Sequence, residues 1–261
     1  MRIGNLYGPD ATFLGVPAAD PEDRSTWGDA HAAIIGAPFD GGTSHRSGCR
    51  FGPQAIRITD YLPHDGSRPS LALGVDPLVE LGVVDLGDVE MPSGDTETSL
   101  QRLEDRVAAV AAAGVLPVVL GGDHTIALPD VTALARHVGW GRVSVIHFDA
   151  HADTGDTQMG SLYGHGTPMR RLIESGACRG DRFIQIGLRG YWPEPETLDW
   201  MPTSRCAASR WARSWPGALT PCSTRPSSWR APTARRSSCP WTSTSWTPAR
   251  RRAPARPNPA G

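Results

Sequence analysis

Lysine is absent from this 261-residue chain: all 26 of its basic residues are arginine, which points to GC-rich coding. Acid is absent from its last part, because every one of the 27 Asp and Glu residues lies at or before Asp199. Past Pro202 there is also no Val, Ile, Phe, Tyr or His. No apolar run approaches the ~18 residues of a membrane-spanning helix. The opening M-R-I-G-N-L-Y-G-P-D lacks the apolar stretch of a secretory signal. Cysteine is scarce and irregular: Cys49, Cys178, Cys206, Cys222 and Cys239 match neither a zinc spacing nor a disulfide framework. These absences lead us to expect a soluble, cytoplasmic protein with no membrane partner.

The total charge of −1 conceals two compositions. Residues 1–202 hold 15 arginines against 27 acids, a net −12, whereas residues 203–261 hold 11 arginines and no acid, a net +11. The first part has the apolar content for a sizeable core. The second is Arg, Ser, Thr, Pro, Ala and Trp, lacks hydrophobic periodicity, and is expected to be a disordered or poorly packed tail. We therefore divide the chain at 202/203.

Within 1–202, strand and helix patterns alternate. Buried strands are predicted at 32–38, 83–89, 115–120, 142–149 and 183–187. Helices are predicted from Gly52-Pro53 through Ile56, over 99–114, 125–137 and 167–176. In 99–114, Leu100, Leu103, Val107 and Val110 share one face and Gly114 marks the stop. Such alternation predicts an α/β fold, a parallel sheet with helices on both faces. Sites in such folds lie beyond the carboxyl ends of the strands.

Two motifs stand at such ends. G-G-D-H-T (121–125) follows one strand, and H-F-D-A-H-A-D-T (147–154) follows another. In extended chain alternate side chains share a face, so Asp149, His151 and Asp153 are expected to converge. Carboxylate with imidazole suits Mn²⁺, Fe²⁺, Ni²⁺ or Zn²⁺ more than Ca²⁺, and the carboxylate excess favours the harder Mn²⁺. A bridging aspartate makes a two-metal hydrolytic site plausible. Asp123 could serve instead as a helix cap. His147 is expected to point to the opposite face or into the strand packing and is not counted as a ligand.

These motifs, with G-A-P-F-D-G-G-T-S-H-R-S-G-C-R-F-G-P-Q-A-I-R (36–57), G-H-G-T-P-M-R-R (164–171) and I-G-L-R-G-Y-W-P-E-P (186–195), resemble the ureohydrolase family of arginases, agmatinases and related guanidino-acid hydrolases. The match runs to about Met201. The resemblance implies a three-layer α/β/α sandwich, assembled as a trimer or hexamer, with two Mn²⁺ per subunit. It implies that His124, Asp149 and Asp153 hold one ion and that His151 serves the second with Asp149 bridging. It further implies water attack on the guanidinium carbon of a small guanidino substrate, with His165 passing a proton to the departing amine. Gly155 stands where arginases usually carry Asn, and G-H-G-T-P with the following Arg pair looks more like the agmatinase branch. Guanidinobutyrase, guanidinopropionase and proclavaminate amidinohydrolase stay open.

The family also carries two further aspartates, in a segment like S-V-D-I-D-V-L-D-P, and no acid after Asp199 can supply them. The genetic code suggests where they went. Back-translated and read two bases later, the stretch from Cys239 to Pro248 permits S-V-D-I-D-V-L-D-P, each Trp-Thr pair forcing an Asp codon. In the same frame Ala253 to Gly261 permits G-T-G-T-P-E-P-G-G. Residues from near 202 onward therefore read as a frameshifted translation. The rival readings are a non-catalytic remnant and a basic, Trp-bearing nucleic-acid-binding tail; the codon pattern disfavours nucleic acid as a partner.

Overall fold

The computed structural model describes residues 8, 10–59, 69–191 and 193–210, with backbone alone at 79 and 207–210. They lie within one compact unit, Met1–Ser223. The tail expected to be disordered falls, from 211 onward, outside the described residues.

The first half begins with β1 (Ala32–Ala37), α1 (Gly52–Ile58), α2 (Pro77–Leu81), β2 (Val83–Asp88), α3 (Thr96–Ala112) and β3 (Leu116–Gly121). The second follows with α4 (Ala127–Val138), β4 (Val143–Phe148), α5 (Pro168–Glu174), β5 (Cys178–Leu188), α6 (Pro195–Thr203) and β6 (Ala207–Arg210). Among the described residues all strand pairings are parallel, in two three-stranded sheets ordered β2-β1-β3 and β4-β5-β6. The parallel α/β arrangement is the expected one, its strands falling into two ladders among the described residues, and β6 extends the second past residue 202. Among the described residues β3 pairs only with β1, and β4 only with β5. Each leaves one ladder edge open, a feature that proteins normally cover. Ile146 and Phe148 of β4 are 60% and 75% exposed, unlike side chains of a covered strand.

All five expected strands are present. The helix expected over 99–114 starts earlier, at Thr96, because Asp95 caps it by accepting from Thr98 N–H at 3.0 Å. Leu100, Leu103, Val107 and Val110 are buried in one cluster with Ile35 and Ala37 of β1 and Val84 and Leu86 of β2. Each such side chain contributes about 1.5–3 kcal/mol by leaving water. A second core gathers Ala135, Met169, Leu172, Cys178 and Phe183 under β4 and β5. Helices α2 and α6 have no counterpart in the pattern reading. Each is short and opens with Pro in its first turn.

Arg57, the last residue of the 36–57 motif, is fully buried. Its guanidinium donates to both oxygens of Asp85, at 2.9 and 2.8 Å, and to Asp88. Asp85 also accepts from Phe13 N–H and Gly87 N–H, each at 2.9 Å. Removing the cation would strand two carboxylates in the interior. Arg57→Met is therefore expected to lower stability by about 3–5 kcal/mol, read from the urea unfolding midpoint.

Asp130 on α4 has a buried Oδ1 without a hydrogen-bond partner, and burial pushes its carboxyl up to about 7, against a weak opposing pull from His124. The unfolded state gives up this proton near 3.8, so between about pH 4 and 7 the folded state holds the extra proton. Stability therefore falls as pH rises through that window, by on the order of 3–4 kcal/mol. Asp130→Asn is expected to flatten this decline in unfolding midpoints collected from pH 4 to 8; an unchanged slope would place the titration elsewhere.

Candidate metal centre

The carboxyl ends of β3 and β4 carry the chemistry. Beyond Gly121 the chain turns into a one-turn 3-10 helix, His124–Ile126, capped by Asp123, which accepts from Thr125 N–H at 2.9 Å. Asp123 also accepts from Gly42 N–H at 2.8 Å, tying the 36–57 loop to this turn. The capping role weighed for Asp123 is the one it has. Two glycines are needed for the closeness of these loops. A Cβ at Gly42 would meet Thr125 Oγ1 at 2.0 Å, and one at Gly122 would meet Phe39 O at 2.3 Å.

Four side chains converge here. His124, His147, Asp149 and Asp153 each offer one ligand atom, and all four atoms lie within 4.8 Å of one another. His124 Nδ1 is 2.5 Å from Asp153 Oδ2 and 3.5 Å from Asp149 Oδ2. His147 Nε2 is 3.4 Å from Asp149 Oδ2 and 4.0 Å from Asp153 Oδ2. His124, His147 and Asp149 border a cavity of about 470 Å³ between α4 and β4.

The route to this convergence differs from the extended-chain expectation. Strand β4 ends at Phe148. Asp149 then folds over its own backbone, Oδ1 accepting from His151 N–H at 2.8 Å. Asp153 sits at φ 51°, a left-handed conformation costing about 1–3 kcal/mol in a non-glycine residue. That turn brings its carboxylate back beside His124 while His151 swings outward, its side chain 62% exposed. His151 stands outside the group of four, yet its Nδ1 lies 3.4 Å from Asp149 Oδ1. The two oxygens of Asp149 therefore face different partners: Oδ2 the histidines 124 and 147, Oδ1 His151. His147 is buried, as expected, and stacks on Phe183 at 6.0 Å, but its Nε2 also faces the carboxylates.

Charge and burial set the protonation here. Burial disfavours the cation of His124, but the hydrogen bond to Asp153 and the fields of Asp153, Asp149 and Asp123 outweigh it and raise its pKa. For His147 burial dominates, reinforced by His124, and lowers the pKa. Burial opposes the Asp149 carboxylate, but the His151 N–H and the three imidazoles hold its pKa below the ordinary value. His165 lies on the neighbouring loop; its N–H donates to Gly42 O at 2.9 Å, and its Nε2 shares a 3.0 Å hydrogen bond with Ser44 Oγ. Sequence reasoning missed Ser44 and Gln185; Ser44 was at least inside a quoted motif, whereas Gln185 reads as an interior strand residue.

Fold and donor set together define a parallel α/β protein with a candidate divalent-metal centre at its strand ends. A model of the arginase family matches residues 30–210, and the chain belongs to that family. It is 39% identical over 171 residues to the mitochondrial agmatinase of Gallus gallus, covering 65% of this chain and 49% of that protein. It is 37% identical to the guanidinobutyrase of Pseudomonas aeruginosa, covering 82% of this chain and 65% of that protein. Among solved structures, proclavaminate amidinohydrolase from Streptomyces clavuligerus superposes with a TM-score of 0.66 at 33% identity, over 77% of this chain and 64% of that one. Formiminoglutamase of Trypanosoma cruzi with Mn²⁺ superposes at 0.64 and 29% identity, over 76% and 65%. The chain thus spans 49% to 65% of the length of the two curated relatives named.

Proposed function

We propose that this chain carries the first half of the active site of a binuclear-manganese amidinohydrolase, and that its gene specifies an agmatinase converting agmatine and water to putrescine and urea. The convergence of His124, Asp149 and Asp153 at two strand ends of an arginase-family fold carries the proposal. The imidazole of His124 and the carboxylates of Asp149 and Asp153, this close together, fit a transition metal of the Mn²⁺ to Zn²⁺ range. His124, Asp149 and Asp153 would hold one ion, and His151 with Asp149 Oδ1 would contribute to a second. Bound there, the ions supply Lewis acidity and a water acidic enough to react near neutral pH.

The protein's own part is positional. Asp149 faces both halves of the site through its two oxygens. The guanidine C–N bond breaks, urea retains the carbon, and the departing amine takes a proton. His165, whose Nε2 exchanges a hydrogen bond with the Ser44 hydroxyl, is placed on the loop that could deliver it. Manganese as the metal, a cytoplasmic setting, a role in polyamine formation, and a trimer or hexamer belong to the same proposal.

Guanidinobutyrase, guanidinopropionase and proclavaminate amidinohydrolase are also named among the relatives, at 37%, 41% and 34% identity, so the substrate must be measured. With the reading frame restored beyond residue 202 and Mn²⁺ supplied, agmatine should give the highest kcat/KM for urea release in a panel with guanidinobutyrate and guanidinopropionate. A higher value on either acid would reassign the substrate while keeping the reaction class.

A further inference from the structure

The buried imidazole of His147 poses a question of role. Its Nε2 is buried and faces two carboxylates, Asp149 Oδ2 at 3.4 Å and Asp153 Oδ2 at 4.0 Å, with neither at full hydrogen-bond geometry. Placed 3.4 Å from Asp149 Oδ2, it could act either as a fourth ligand through a lone pair or as an N–H donor. The two roles need opposite tautomers, and the other ring nitrogen decides between them.

His147 Nδ1 lies 3.0 Å from Gln185 Nε2, and the same Gln185 nitrogen lies 2.5 Å from Ala152 O. A backbone carbonyl only accepts, so the amide nitrogen, not the amide oxygen, must face Ala152. The reversed amide would set two oxygens against each other at that distance. With Nε2 so fixed, its second hydrogen points to His147 Nδ1, which must then accept. A neutral imidazole that accepts at Nδ1 carries its proton at Nε2. Gln185 is fully buried on β5, in register with His147 on β4, so the backbone ladder itself holds the pair together.

We propose that Gln185 locks His147 as an N–H donor toward Asp149, making His147 a positioning residue for the carboxylate that spans the site and excluding it as a metal ligand. The orientation of a ligating carboxylate by such a donor typically accounts for 10–100-fold in metal affinity. The inference rests on the proposed metal centre for its purpose, but the tautomer is a property of the metal-free chain.

The test is two-bond ¹H–¹⁵N correlation on the full chain labelled in histidine, with the His147 signals assigned by their loss in His147→Phe. We expect the Nε2–H tautomer for His147 before and after addition of ¹¹³Cd²⁺, while ¹¹³Cd coupling appears at His124. An Nδ1–H signal in the metal-free chain, or ¹¹³Cd coupling at His147, overturns the proposal. If the tautomer is as expected but no histidine couples to cadmium, the metal centre has failed and the hydrogen-bond lock has not. Gln185→Leu separates positioning from packing. Circular dichroism reports whether that variant folds, and loss of the lock should let the Nδ1–H form appear; a folded Gln185→Leu chain still purely Nε2–H also overturns the proposal. His147→Phe should weaken Cd²⁺ binding by 10–100-fold, and an unchanged affinity would remove the positioning role.

Discussion

On the proposed frameshift near codon 202, restoring the frame is expected to raise urea release from background to the level of a Mn²⁺-dependent amidinohydrolase. The present chain offers His124, Asp149, His151 and Asp153, but no carboxylate beyond Asp199 to complete a second metal position. A two-metal hydrolytic site clamps both the attacking and the leaving group, and half of it does neither well. Strands β3 and β4, whose ends bear the site, each leave one edge unpaired among the described residues. The shifted frame permits S-V-D-I-D-V-L-D-P, whose Val-Asp-Ile-Asp-Val core alternates as a strand does and carries the absent aspartates. Covering an open edge and completing the site would come from one segment. The comparison is direct: both chains, purified and supplied with Mn²⁺, are assayed for urea from agmatine. The restored chain should turn over within the ordinary range of about 1–10³ s⁻¹, and the present chain should stay at background. Ordinary turnover by the present chain would refute the half-site. A restored chain that folds and binds metal yet hydrolyses no guanidine would refute the function. Resequencing the gene from codon 195 past the stop shows which chain the cell makes.

Strand order aside, much of the fold could be read in the residues, and the reasons are local. Strands β1 and β3 are short apolar runs bounded by Gly or Pro, though of these only β1 is buried as expected, and the face of α3 is set by a 3.6-residue period that survives in Leu100, Leu103, Val107 and Val110. Helix α3 begins three residues before the periodic pattern does, because Thr96-Glu97-Thr98 has no apolar marker and only the Asp95 cap shows where it starts. At the site, His124 is legible only beside the D-x-H-x-D stretch at a second strand end, because a lone histidine in a loop is usually solvated. The extended-chain rule gave Asp149 and Asp153 for a reason that the structure replaces. It assumed a straight chain, whereas the Asp149 side chain and the left-handed Asp153 bend it. The dual position of His147 depended on Gln185, 38 residues away, a pairing that no spacing rule contains.

Asp149→Ala is expected to abolish most divalent-metal binding by this chain, whereas Asp123→Asn, one residue from His124, is expected to spare it. Asp149 presents Oδ2 to two histidines and Oδ1 to a third, so its loss removes an anionic donor from both sides of the centre. Asp123 spends its oxygens on Gly42 N–H and Thr125 N–H. Its loss should cost on the order of 1 kcal/mol as a missing cap. Titration calorimetry with Mn²⁺ should show a fall of more than about 100-fold for Asp149→Ala, beyond the 10–100-fold typical of an outer-sphere residue. The pH dependence has a defined sign. Metal must displace the proton of His124, whose pKa the surrounding carboxylates raise against burial. Affinity should therefore climb with pH through a midpoint above the ordinary imidazole value of about 6.5. In Asp153→Asn, which loses the 2.5 Å partner of that imidazole, the midpoint should fall. Should Asp149→Ala bind as the parent does, or should the parent's affinity be flat from pH 6 to 8, the ion is held elsewhere and the four converging side chains are an ordinary hydrogen-bonded cluster.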